Sequence, residues 1–167
     1  DSLRNALLVD IATCLEDFDA DRAREGAALE EVLSAQLAEM TTLSEAAAKA
    51  AGDREPAVRA GIERGLARML KATEVPDEAR LVQELALIAV KADITEEIDR
   101  LRAHVEAAKD LIASDVAMGR KFDFLMQEFN REANTLCSKS QATELTAIGL
   151  DLKALIDQMR EQVQNVE

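Results

Sequence analysis

The 167-residue chain has no tryptophan and no tyrosine, and only four phenylalanines. That scarcity argues against a base-stacking platform of the kind that aromatic-faced sheets and small barrels offer to single strands. Two prolines and six glycines leave little turn material, while alanine, leucine, glutamate and arginine dominate, so the chain reads as all-α. No apolar run approaches the roughly eighteen residues of a membrane span, and the start shows no signal-peptide pattern. Cys14 and Cys137 share no metal-ligand spacing and form no framework, so two reduced thiols and a cytoplasmic location are expected. The formal net charge of −13 opposes nucleic-acid binding by the chain as a whole. Any RNA site is therefore local, or is completed by other subunits.

What is present is helical periodicity. Leu3, Leu7, Ile11, Cys14, Leu15 and Phe18 form a first apolar stripe, interrupted near the acidic DFDAD. Leu29, Leu33, Leu37, Met40 and Leu43 continue it toward Ala51, and Gly52-Asp53 reads as a helix end. Pro56 suits the first turn of another helix carrying Val58, Ile62, Leu66, Met69 and Leu70. Residues 1–75 thus read as an antiparallel helical arm or hairpin, and 76–167 as a helical bundle. Val75-Pro76-Asp77 breaks the chain again. Leu81, Leu85, Ile88 and Ala92 share one helix side; Ile94, Ile98, Leu101, Val105, Ala108 and Ile112 share another, rotated by roughly 200°. Asp93 with Glu96 resembles a capping box and favours a restart there. A last helix from about Ala142 carries Leu145, Ile148, Leu152, Leu155, Met159 and Val166.

The stretch 118–139, MGRKFDFLMQEFNREANTLCSK, differs from the rest. Phe122, Leu125, Met126, Phe129, Ala133 and Leu136 form its apolar side. One polar flank carries Asp123, Gln127, Asn130, Arg131, Asn134 and Ser138; the other carries Lys121, Glu128, Glu132, Thr135 and Lys139. A helix needs only one solvated side, so two such flanks point to a cavity or a subunit junction. Arg120, Lys121, Arg131 and Lys139 against Asp123, Glu128 and Glu132 leave this stretch at net +1.

This stretch, with KADITEEIDRLRAH before it and LKALIDQMREQVQNVE after it, closely resembles the C-terminal region of the YicC family, bacterial proteins described as metal-dependent endoribonucleases. The resemblance is strong over 80–167 and looser over 3–43, where REGAALEEVL is the recognisable piece. It implies RNA as substrate, a divalent metal cation, and a homo-oligomer, hexameric in the family. Family members carry a further N-terminal domain, and the chain opens at Asp1, so a fragment of a longer protein is expected.

Glu128 and Glu132 stand one helical turn apart and can converge on a divalent ion, with Asp123 and Glu97 as further ligand candidates. Salt bridging to Lys121 and Lys139, on the same flank, is the competing explanation. His104, the sole histidine, is a candidate ligand, phosphate contact or general base. An ordinary flank histidine is the alternative. Arg131 is a candidate for offsetting charge in the transition state, and Arg120, Lys121 and Lys139 for holding phosphates. Gln127, Asn130 and Asn134 are candidate RNA contacts through their amides. The functional expectation is metal-dependent hydrolysis of RNA; a non-catalytic oligomerisation or RNA-binding module is the rival.

Overall fold

The computed structural model describes residues 2–72, 83, 86, 93–114 and 117–164. Among these the chain is all-α, with no strand: α1 (Ser2–Ala72), α2 (Thr95–Ile112), α3 (Gly119–Lys139) and α4 (Thr143–Val163). The stripe of Leu81, Leu85, Ile88 and Ala92 and the break at Val75-Pro76-Asp77 lie outside the described residues, as does Val166.

At 71 residues α1 is about 107 Å long. Neither DFDAD nor Gly52-Asp53 interrupts it, and Pro56 lies within the helix. The turn expected at Gly52-Asp53 is therefore not formed, and the arm is one helix there. An interior proline costs about 3 kcal/mol and a glycine about 1 kcal/mol. The alanine-rich flank at 46–51 favours propagation through the weak point. Arg54 adds a tertiary tie: its guanidinium donates to the carbonyls of Lys139, at 2.8 Å, and of Ser140. Those carbonyls close α3, where backbone acceptors lack helical partners and a cation is favoured.

Residues 33–50 of α1 form the fourth member of a bundle in which α1 packs on α2 and α4, α2 on α3, and α3 on α4. The core takes Leu33, Leu37 and Met40 from α1, and Ile98, Leu101 and Val105 from α2. From α3 it takes Phe122, Met126, Phe129 and Leu136, and from α4 Leu145, Leu152, Ile156 and Met159. Full burial of each such side chain contributes roughly 1.5–3 kcal/mol. The apolar side expected for α3 is the buried side, with Leu125 only partly covered. In α4 the inward face also includes Ile156 and Val163, while Ile148 sits at its edge.

The helix start expected just after residue 92 is present. Asp93 and Ile94 are non-helical, and the Thr95 amide donates to Asp93 Oδ1 at 2.9 Å. Glu96 does not complete a capping box; it pairs with Arg100 instead. Gly149 sets the approach of α4 to α3, because a Cβ there would lie 2.4 Å from Cys137 Sγ.

Candidate active site

The apolar period of α2 fixes which of its polar residues meet α3. With Ile98, Leu101, Val105 and Ala108 turned to the core, Glu97, Arg100 and His104 follow one another along the flank beside α3. On α3, Phe129 and Ala133 inward leave Glu128 and Glu132 facing that flank. The two helices run antiparallel, so low numbers on one meet high numbers on the other. Lys139 Nζ accordingly bonds Glu97 Oε1 at 2.8 Å, at one end of a polar seam. His104, Glu128 and Glu132 meet at the other.

Ligand atoms of His104, Glu128 and Glu132 all lie within 4.8 Å of one another. The Glu132 side chain is 2% exposed and the Glu128 side chain 23%. His104 stands edge-on to Phe129, with ring centroids 5.9 Å apart and planes at 82°. Its Nε2 is buried and has no hydrogen-bond partner. A buried, unpaired ring nitrogen costs free energy unless something else approaches it. Arg100 Nη1 lies 3.4 Å from Glu132 Oε1, at the long end for a hydrogen bond, while its Nη2 bonds Glu96 at 2.5 Å. Arg131 Nη1 is 3.8 Å from Glu128 Oε2.

The remaining candidates separate. Glu97 and Asp123 do not join the cluster. Glu97 is held by Lys139, and Asp123 Oδ2 accepts from Gln127 Nε2 at 2.9 Å. Asn134 donates to Asn130 Oδ1 at 2.6 Å along the outer flank of α3, where Gln127 and Asn134 are exposed. Arg120, Lys121 and Arg131 are exposed to solvent. The competing salt bridges from Lys121 and Lys139 to Glu128 and Glu132 do not form; Arg100 and Arg131 are the cations near the two glutamates. Of the two polar flanks of α3, one meets α2 and the other is open.

Two participants were missed in the sequence. Arg100 is four residues before His104, and laying α2 antiparallel to α3 would have brought it to Glu132. Arg54 lies 85 residues before its acceptor at Lys139, and no local pattern indicates that meeting. Around this second junction the Asp93 carboxyl is held below its ordinary range, first by the Thr95 hydrogen bonds and then by Lys139 and Arg54. Burial pushes the Arg54 guanidinium down, against the pull of Asp93.

One histidine and two carboxylates with ligand atoms this close form a donor set suited to a divalent cation that accepts both nitrogen and oxygen. The residues fit such an ion by donor type and by the closeness of their ligand atoms. Among the described residues no helix is long and apolar enough to cross a membrane.

Residues 47–167 match the family model "Endoribonuclease YicC-like, C-terminal". The chain is 39% identical over 167 residues to "Probable endoribonuclease YicC" of Haemophilus influenzae, covering 100% of this chain and 57% of that protein. It is 43% identical over 102 residues to the protein of the same name from Clostridioides difficile, covering 61% of this chain and 35% of that one. The chain thus spans little more than half the length of the Haemophilus relative. By the extent of its family match, the chain belongs to the YicC-like C-terminal family of endoribonucleases.

Proposed function

We propose that this chain carries the metal-dependent RNA-hydrolysing site of its family, with His104, Glu128 and Glu132 as the ligands of a divalent cation. The observation that carries the reading is the convergence of ligand atoms of His104, Glu128 and Glu132 within 4.8 Å of one another, on a histidine whose Nε2 is buried without a hydrogen-bond partner. When bound, such an ion supplies Lewis acidity and lowers the pKa of a coordinated water. Glu132, buried and steadied by Arg100, holds its carboxylate in place. Glu128, more open, is the side chain on which substrate and solvent can arrive. Arg131 reaches toward Glu128 from the exposed face and is placed to bind a phosphodiester oxygen and offset charge as it builds.

The rival route uses the 2′-hydroxyl of RNA as nucleophile, with one side chain as base and a second as acid. This chain has one histidine, which lacks a second to complete that pair. We therefore favour water as the nucleophile. Incubating the purified 167-residue chain with labelled hairpin RNA, in manganese, in magnesium and in chelator, tests the reading. Cleavage with ion and none in chelator supports it. Binding without cleavage under all three conditions leaves the non-catalytic module as the better description.

We also propose that copies of the chain associate through α1. Leu3, Leu7, Ile11, Leu15 and Phe18 are each more than half exposed, on the face that the bundle covers further along the helix. Acidic Asp10, Glu16 and Asp17 on the same stretch disfavour RNA or anionic lipid as its cover. Sedimentation equilibrium with Leu7→Asp and Ile11→Asp tests this, and concentration-dependent association retained by both variants would sink it.

A further inference from the structure

One turn before Glu128, α3 presents Phe124 at 59% exposure, on the helix face shared by Arg120, Lys121, Glu128 and Arg131. A lone exposed phenylalanine needs no explanation. This one does not stand alone. It walls a depression of about 390 Å³ whose other lining residues are Ala107 and Leu111 of α2, and Leu125, Arg120 and Lys121 of α3. Ala107 and Leu111 follow His104 by three and seven residues, so the depression lies further along the same α2–α3 seam as the histidine–glutamate cluster. Its walls are apolar, one is aromatic, its rim has two cations, and no carboxylate lines it.

Those features select a ligand chemistry. A flat π-surface accepts any nucleobase by stacking, and cations beside it accept the phosphates that flank the base. An apolar protein side chain would find the wall but would leave Arg120 and Lys121 without partners. Base pairs in a duplex keep their faces stacked and cannot enter. We propose that this depression is a nucleobase subsite: one unpaired RNA base stacks on Phe124 while Arg120 and Lys121 hold the adjoining phosphates. From Phe124 to Glu128 is about 6 Å along the helix axis, so a strand anchored there runs on toward the cluster. The subsite rests on the reading of RNA as substrate, and it gives that reading a preference for unpaired strands.

The test measures binding apart from cleavage. In chelator, fluorescence anisotropy is followed for a labelled single-stranded oligoadenylate and for a blunt duplex of equal length. The proteins are the 167-residue chain and its Phe124→Ala and Phe124→Trp variants. Loss of one base stack weakens single-strand binding roughly ten-fold in Phe124→Ala, and Phe124→Trp restores it. Duplex binding stays the same in all three. Because the ring is mostly exposed, the melting temperature is expected to be unchanged, so a binding loss is not a folding loss. Equal single-strand binding by wild type and Phe124→Ala overturns the subsite. Binding that falls equally for strand and duplex also overturns it, as does a loss of self-association in place of RNA binding. Strand binding that depends on Phe124 in a chain that never cuts RNA would retain the subsite and reject the hydrolytic reading. No RNA binding by wild type would reject both.

Discussion

Two stretches of α1 present the same face of the same helix with the same residue types, and meet different fates. Leu33, Leu37 and Met40 are at most 1% exposed. Leu7, Ile11 and Leu15 are 53%, 55% and 59% exposed. Three- and four-residue spacing states which side of a helix is apolar, not what lies against it. The difference comes from elsewhere in the chain: α2 and α4 reach residues 33–50 and stop short of the first turns. A second contrast runs around α3, where the glutamate flank is roofed by α2 and the asparagine–glutamine flank is open.

The first contrast is broken most forcefully by Leu37→Ala. It leaves a cavity in the core and is expected to cost about 2–5 kcal/mol in denaturant unfolding. Leu7→Ala, measured under dilute conditions, is expected to fall within about 0.5 kcal/mol of wild type, since it removes an exposed side chain. Equal losses would mean that the outer turns of α1 are covered within one chain.

A smaller effect sharpens the second contrast. Arg100→Ala removes the cation nearest the buried Glu132 carboxylate. Because Arg100 itself is 47% exposed, the loss is discounted for solvent screening to about 1–2 kcal/mol. If the cluster holds a divalent ion, manganese added to this variant recovers melting temperature more than it raises that of wild type. Arg131→Ala, on the exposed side, should lower RNA binding or cleavage with little change in melting. A fall of many degrees with RNA handling intact would make that arginine structural.

The smallest effect concerns the start of α2. Asp93 titrates below its ordinary range because Thr95 bonds its charged form, with Lys139 and Arg54 nearby. A depressed carboxyl stabilises the fold above its unfolded pKa, and that contribution is lost as pH falls through the folded value. Asp93→Asn should therefore show a shallower decline of melting temperature below about pH 4 than wild type. Parallel acid limbs would remove Asp93 from the account.

How far these outcomes were readable in the sequence depends on the range of the signal. The α3 face from Phe122 to Leu136 and the start of α2 at Thr95 were legible because apolar period and capping chemistry act within a few residues. The continuity of α1 through Gly52 and Pro56 was not, because Arg54 ties it to carbonyls 85 and 86 residues away. Glu128 and Glu132 could be picked out as a pair one turn apart. That His104 joins them, while Glu97 is taken by Lys139, depends on the register between α2 and α3, which spacing within either helix does not encode. Phe124 was hidden for a related reason. Aromatic scarcity argued against a stacking platform built from several rings, whereas the proposed subsite uses one ring and the apolar wall of a neighbouring helix.

The central claim, that His104, Glu128 and Glu132 hold the ion under which water cuts RNA, is tested most directly by the termini of the products. Cleavage by the chain in manganese should yield 3′-hydroxyl and 5′-phosphate ends, with both product and manganese binding lost in Glu132→Gln. Fragments ending in 2′,3′-cyclic phosphate, formed equally well in chelator, would contradict it.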